Sequence, residues 1–338
     1  MTLLQIAKEV GVCKATVSLV LNGKARQHHI SEATIRTVEE YCRSINYRPN
    51  IHAIRMGRKI VGNVMFLLNT GDGYSRTNSF SDYNVAQITG GIAHEARKAG
   101  CSLSVRIFEP GMDGEIIFDC FRNHEIDGMI YYGMTIPDAW MQVFQHEHCK
   151  VVGIGIRPQD GVSTVNINNR QISRILTEQL IRRGCRKFFY FSGTADSYPG
   201  TERYAGFREA LASHRIPWLE KNCFAGNFDE RTAGSMMAEF IARKKPLPDA
   251  VVCANDGMAI GVIRALRQHG ISIPQRVAVT GGDNIMLADY LSPSLTTFDN
   301  RAETMGAEAF RLLSRQINDG SGIQNLILPS EIVRRESA

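Results

Sequence analysis

The chain contains 338 residues, of which 43% are hydrophobic and 22% charged, and it carries a net charge of +5 at neutral pH. At about 150 residues per domain, this length predicts about two domains with a substantial apolar core. The 30 glycines and 11 prolines lie at mixed spacing, which excludes collagen-like, fibrous and disordered chains. The longest nearly apolar run, residues 60–68, falls far short of the ~20 residues that span a bilayer, so we expect no membrane contact.

Positive charge is concentrated near the N-terminus. Residues 1–60 hold ten Lys or Arg and four Glu, whereas the rest of the chain is nearly neutral. This distribution predicts that the basic segment binds a polyanion and that the body has another role. The first nine residues show no secretory signal, so we expect a cytoplasmic protein. The eight cysteines form no CxxC pair, and we expect no metal and no other cofactor.

The basic segment begins with two short predicted helices. Thr2 can cap the first, and Gly11 permits the left-handed turn that ends it. The second starts after Cys13 and stops at residues 22–23. Two helices joined by a short turn containing Gly form a helix-turn-helix unit, although any two-helix hairpin would show the same spacing. A third helix from Ser31 completes a small core.

The pattern of this segment resembles the headpiece of the lactose-repressor/galactose-repressor (LacI/GalR) family. The resemblance rests on residues 2–7, 11–23, 31–36 and 46–50. The family plan implies a small all-α helix-turn-helix headpiece, a hinge helix and an α/β two-lobed periplasmic-binding-protein-like core of doubly wound parallel sheets. These parts correspond to residues 1–46, 47–59 and 60–338. A DNA-binding protein of this kind binds a pseudo-palindromic operator as a homodimer.

The second helix of such a unit enters the major groove with its N-terminal end. The base-reading positions are then Lys14, which can donate to guanine, and Ala15 and Leu19, which suit a thymine methyl. The resemblance implies DNA-backbone contacts from Thr2, Thr16, Ser18, Asn22, Ser31, Thr34, Tyr47 and Asn50. A helix cap or a solvated hydroxyl is an equally good explanation for five of them: Thr16, Ser18, Asn22, Ser31 and Thr34.

The hinge helix of similar proteins enters the minor groove with an apolar wedge. The resemblance assigns this role to Met56, with Ala53 and Arg55 beside it. Two departures concern the headpiece. Cys13 stands where similar proteins usually carry Ser, and the segment 24–29 is about two residues longer than usual, as the spacing of the motifs indicates.

From residue 60 onward, apolar runs alternate with helical stretches, which predicts two α/β lobes with parallel sheets. We place the first lobe at about 60–157 plus 299–325 and the second at about 158–298 plus 326–338, so that the second set of strands starts at Ser163. Ligands of parallel sheets bind at the carboxyl ends of the strands. The expected site is therefore a cleft between the lobes.

Three segments of the second lobe, residues 202–207, 252–261 and 281–284, resemble the family closely. By this resemblance Arg203, Asn255 and Asp283 point into the cleft and suit a polyhydroxylated or anionic ligand, and Phe228 supplies an aromatic face. We expect Arg203 and Asp283 on opposite sides of a carbohydrate-like effector. The alternatives are a structural salt bridge for this pair and core packing for Phe228. Similar proteins usually carry an aromatic residue in place of Gly282, which implies more room or a different ligand.

These features predict a DNA-binding transcriptional regulator, a repressor whose operator affinity is modulated by a sugar or sugar-derived ligand. One alternative is an α/β-fold small-molecule enzyme. Residues 153–158 begin like a dinucleotide fingerprint but lack its third Gly and meet Pro where a helix should start. The other alternative, a periplasmic-type binding protein, conflicts with the basic head and the missing signal. We therefore predict that the chain is not an enzyme.

Overall fold

The computed structural model describes residues 2–21, 23–45, 47, 62–69, 82–109 and 112–338. The chain divides into two units, residues 1–60 and 61–338. Throughout these described ranges, no helix combines the length and apolar character that crossing a membrane requires.

The N-terminal unit is a three-helix headpiece, as the sequence predicts. Its helices are α1 (Leu3–Val10), α2 (Lys14–Leu21) and α3 (Glu32–Ser44). Their apolar faces meet in a small core that includes Ile6, Val17 and Val38. The longer segment 24–29 contains a single 3-10 turn, Arg26–His28, and Arg26 donates to both carboxylate oxygens of Glu32 at 2.8 and 3.3 Å.

The first lobe of the core is built on a six-stranded parallel sheet. Its elements in chain order are β1 (Asn63–Asn69), α4 (Tyr83–Lys98), β2 (Ser102–Phe108), α5 (Glu115–Arg122), β3 (Gly128–Gly133), α6 (Asp138–His146), β4 (Val151–Ile154), β5 (Ser163–Ile167), α12 (Ala302–Asn318) and β11 (Asn325–Leu328). The strand order is β11-β5-β4-β3-β1-β2. Gly91 allows helices α4 and α12 to pack closely, because a Cβ at this position would lie only 2.0 Å from Glu303 O.

The second lobe has a four-stranded parallel sheet in the order β7-β6-β8-β9. Its elements are α7 (Asn169–Arg182), β6 (Phe188–Ser192), α8 (Tyr198–Ser213), β7 (Cys223–Ala225), α9 (Glu230–Ala242), β8 (Ala250–Cys253), α10 (Asp256–Gln268), β9 (Ala278–Thr280) and α11 (Leu287–Tyr290). Two short antiparallel strands, β10 (Thr297–Phe298) and β12 (Ile332–Val333), pair beside the crossover between the lobes. The predicted fold class is confirmed, because parallel strands bounded by helices form both sheets.

The predicted boundary between the lobes is wrong. Residues 158–168 and 326–328 were predicted to belong to the second lobe. In the structure β5 pairs in parallel with β4, and β11 pairs in parallel with β5, so both strands complete the first sheet. A buried apolar run such as β5 fits either sheet equally well, and only its pairing decides where it belongs.

Candidate DNA-binding face and ligand cavity

The start of the headpiece is closed by a capping box. Thr2 Oγ1 accepts from Gln5 N at 3.3 Å, and Gln5 Oε1 accepts from Thr2 N at 2.8 Å. Gly11 ends α1 with a left-handed φ of 70°. The predicted cap and turn are confirmed, and they set the angle at which α2 leaves α1.

Helix α2 separates a buried face from a solvent face. Val17 and Val20 are buried in the headpiece core, whereas Lys14 and Ala15 are exposed and Leu19 is half-buried. Side chains four residues apart share one helix face, so Ala15 and Leu19 are neighbours, with Lys14 one position before them. The face formed by these three residues therefore offers one cation and two apolar contacts.

The predicted phosphate-contact hydroxyls lie at helix N-termini. Cys13 Sγ accepts from Thr16 N at 3.4 Å and lies 3.1 Å from Thr16 Oγ1, which lowers the pKa of the Cys13 thiol. Ser31 Oγ likewise accepts from Thr34 N at 3.2 Å and lies 2.8 Å from Thr34 Oγ1. Cys13 and Ser31 thus cap α2 and α3, and a helix N-terminus also favours an adjacent phosphate.

The remaining headpiece predictions are only partly covered by the described residues. Ser18 is half-buried on α2, and Tyr47 packs against the headpiece core. The predicted residues that lie outside the described part of the chain are Asn22, Asn50, Ala53, Arg55 and Met56.

A cavity of about 100 Å³ lies between the two lobes of the core. All four predicted effector residues line it: Arg203, Phe228, Asn255 and Asp283. Nine further polar residues of the lining were not predicted, and they come from both lobes and the crossover: Asn69, Asp82, Asn84, Tyr132, Asn166, Asn169, Thr194, Ser197 and Asn300. The first five of these residues lie at the ends of β1, β3 and β5 or at the start of α4, and this position is a sequence signal that could have found them.

Arg203 and Asp283 are bonded directly to each other. Arg203 Nη1 lies 3.1 Å from Asp283 Oδ1, and both side chains are buried. Arg203 also donates through Nε to Asn169 Oδ1 at 2.8 Å and through Nη1 to Ala254 O at 2.6 Å. The expectation that the two residues face each other across a ligand is wrong, and the alternative of a salt bridge is correct.

A second buried carboxyl group, that of Asp256, lies near Asp283. Burial raises the pKa of Asp283 to about 6, against the opposing effect of Arg203. Asp256, which the sequence analysis missed, accepts from Ile285 N at 2.9 Å and from Thr297 Oγ1 at 2.6 Å. Burial and the nearby charge of Asp283 raise the pKa of Asp256 to about 7.

Asn255 positions Phe228. The Asn255 amide caps α10 by accepting from Met258 N at 2.9 Å, and it donates to Phe228 O at 3.2 Å. Phe228 has a left-handed φ of 59°, a strained conformation for an aromatic residue. Its ring packs on Gly193, where an added Cβ would lie only 2.0 Å from Phe228 Cζ. Both the backbone conformation of Phe228 and the position of its ring are therefore fixed.

Gly282 does not enlarge the cavity. A Cβ at this position would lie 2.5 Å from the ring of Phe298, so that ring already fills the adjacent space. The Arg203 guanidinium lies 4.8 Å from the centroid of the same ring. The expectation of more room is wrong, because Phe298, sixteen residues further along the chain, occupies it.

A basic helix-turn-helix head joined to a two-lobed α/β core with a polar interlobe cavity defines a ligand-responsive DNA-binding regulator. Residues 2–50 match the family described as bacterial regulatory proteins, lacI family, and residues 177–338 match a periplasmic binding protein-like domain. Residues 2–50 thus carry the DNA-binding domain of the lacI family of bacterial regulatory proteins, and the prediction of a DNA-binding transcriptional regulator is confirmed.

Relatives match over nearly the whole chain. The HTH-type transcriptional regulator CelR of Thermobifida fusca is 28% identical over 99% of this chain and 98% of its own. A solved transcriptional regulator CelR–cellobiose complex is 27% identical, with a TM-score of 0.73 and full coverage of both chains. The Lac repressor dimer bound to operator and an anti-inducer is 22% identical and covers 100% of this chain and 98% of its own, with a TM-score of 0.83. That last likeness establishes the fold.

Proposed function

We propose that the chain is a homodimeric repressor in the cytoplasm, whose operator affinity is set by a carbohydrate-like ligand in the interlobe cavity. The observation that carries this proposal is the convergence of thirteen polar or aromatic side chains from both lobes on one cavity. A ligand that touches both lobes stabilises one arrangement of them over another, which is the physical requirement for a switch. The similarity to a regulator solved with cellobiose supports the carbohydrate class.

In the headpiece, Lys14, Ala15 and Leu19 would read base edges, and the hydroxyls of Thr2, Thr16, Ser31 and Thr34 would set the register on the phosphates. Ser18, Asn22, Tyr47 and Asn50 would add backbone contacts, and Ala53, Arg55 and Met56 would enter the minor groove. Two such heads in a dimer would recognise the two halves of a pseudo-palindrome.

A thermal-shift screen of the full chain against neutral and acidic sugars, sugar phosphates and nucleobases tests the ligand class. A ligand that binds only the folded chain raises Tm with its concentration. We expect a sugar to raise Tm in the parent and to lose most of this effect in Phe228→Ala, which removes the aromatic wall. Leu219→Ala, which truncates an exposed residue 54% accessible to solvent, is the matched control and should respond like the parent.

If nucleobases alone raised Tm, the carbohydrate class would be wrong while the regulator remained. If Phe228→Ala responded as strongly as Leu219→Ala, the ligand would bind outside the interlobe cavity.

A further inference from the structure

The charges that line the cavity are predominantly negative. Among its described lining residues, Arg203 is the one cationic side chain, and Asp82 and Asp283 are both carboxylic acids. Asp82 caps α4 by accepting from Asn84 N at 2.8 Å, which places its charge on the first-lobe side. The charge of Asp82 also raises the pKa of Asp283 across the cavity. A ligand thus enters a field that opposes negative charge.

The guanidinium of Arg203, the one cationic group among the described lining residues, already interacts with other groups of the protein. Arg203 binds Asp283, Asn169 and the carbonyl of Ala254, and its guanidinium packs on the ring of Phe298. An anionic ligand that displaced Asp283 from this guanidinium would leave a buried carboxylate without its counter-charge. The ion pair therefore works against an anion and leaves uncharged ligands unaffected.

One residue of the cavity lining, Asn166, carries a hydrogen-bond acceptor that has no partner among the described residues. Asn166 is 1% exposed, and its Nδ2 donates to Ile156 O at 3.0 Å, which fixes the orientation of the amide. Its Oδ1 is buried and has no hydrogen-bond partner among the residues that the structure describes. A buried acceptor without a partner is costly, and a hydroxyl group of a ligand would satisfy it.

We infer that the cavity selects an uncharged, hydroxyl-rich ligand, one hydroxyl of which donates to Asn166 Oδ1, and that it excludes sugar phosphates and sugar acids. This inference rests on the proposed function and narrows its ligand class. The carboxylates can accept hydroxyl hydrogens and the aromatic ring of Phe228 can cover an apolar face, whereas the charge of Arg203, the one cation among the described lining residues, is already balanced by Asp283.

The first experiment compares neutral and anionic sugars on the full chain at neutral pH, above the pKa of Asp283. Calorimetry measures binding of glucose, cellobiose, gluconate and glucose 6-phosphate. We expect the better neutral sugar to bind at least about tenfold more tightly than either anion. Equal or tighter binding of gluconate or glucose 6-phosphate would overturn the inference.

The second experiment uses two variants, each of which removes one negative charge from the cavity, and inorganic phosphate as the probe. Asp283→Asn uncovers the Arg203 guanidinium, so phosphate should raise the Tm of this variant more than that of the parent. Asp82→Asn removes the same charge but leaves the ion pair in place, so phosphate should raise its Tm less than that of Asp283→Asn. Equal responses of the two variants would contradict the assigned role of the ion pair.

The Asn166 assignment has its own pair of variants. Asn166→Leu removes the acceptor and should weaken binding of the neutral sugar about tenfold, whereas Asn166→Asp keeps an acceptor oxygen and should bind more tightly than Asn166→Leu. Equal losses in both variants would contradict the hydrogen bond. If no sugar binds but phosphate stabilises only Asp283→Asn, the carbohydrate proposal fails and the exclusion of anions stands.

Discussion

The side-chain amide of Asn300 donates a hydrogen bond of 2.6 Å to Asn84 Oδ1. The same Nδ2 also donates to Asp283 Oδ1 at 3.0 Å. Asn84 lies on α4 of the first lobe, and Asp283 follows β9 of the second, so one amide at the crossover links both lobes at the wall of the cavity. A change in the arrangement of the lobes must alter this link.

Asn300→Ala removes the link and leaves the buried Asp283 with one donor fewer. We expect the free energy of unfolding to fall by about 1–3 kcal/mol and the ligand-dependent change in operator affinity to shrink. Urea denaturation and operator titration with and without ligand measure the two effects. Asn318→Ala, which loses an exposed hydrogen bond to Ser314, should change neither by more than about 0.5 kcal/mol. An Asn300→Ala variant that behaves like this control would exclude a role for the link.

Lys14→Ala tests the recognition helix. Loss of its contact to a guanine should reduce base discrimination by about 1–3 kcal/mol per half-site. Lys24→Ala removes the same charge from a site outside α2, so it should weaken binding to all duplexes equally. Affinities for the selected operator and for operators with one altered base pair distinguish the two. If both variants preserve the order of these affinities, Lys14 does not read bases.

Cys13 should be the first cysteine to react with iodoacetamide. It is exposed, and its hydrogen bonds with Thr16 lower the pKa of its thiol. Burial instead raises the pKa of six others: Cys42, Cys120, Cys149, Cys185, Cys223 and Cys253. The thiolate is the reactive form, so mass spectrometry at short reaction times should find label at Cys13 before these six. Operator DNA should slow this labelling, and unchanged labelling in its presence would place the start of α2 away from the DNA.

The stability of the core should fall as pH rises towards neutrality. Folding raises the pKa of Asp256 from the usual 3.8 to about 7, so within this window the folded chain holds a proton that the unfolded chain has lost. The free energy of unfolding then decreases with increasing pH, and Asp283 contributes with the same sign up to about 6. Urea denaturation at several pH values measures the slope. Asp256→Asn should flatten it, whereas Asp160→Asn at the exposed surface should retain it.

Local signals in the sequence predicted the headpiece well. Thr2, Gly11 and Ser31 form caps and turns through residues no more than four positions away, so their roles follow from spacing alone. The ligand cavity depends on longer distances. The pairing of Arg203 with Asp283 joins residues 80 positions apart, and Phe298 fills the space beside Gly282. Such contacts follow from the packing of the two sheets, which no local pattern specifies.

The most direct test of the whole account is a titration of operator DNA with the full chain, with and without saturating amounts of the neutral sugar that the screen identifies. The operator is first selected from random duplexes. The account predicts that the sugar shifts operator affinity by about fivefold or more in the parent, and that Phe228→Ala keeps its affinity without sugar but loses the shift. An operator affinity that no cavity ligand changes in the parent would contradict it and leave a DNA-binding protein without a sensor.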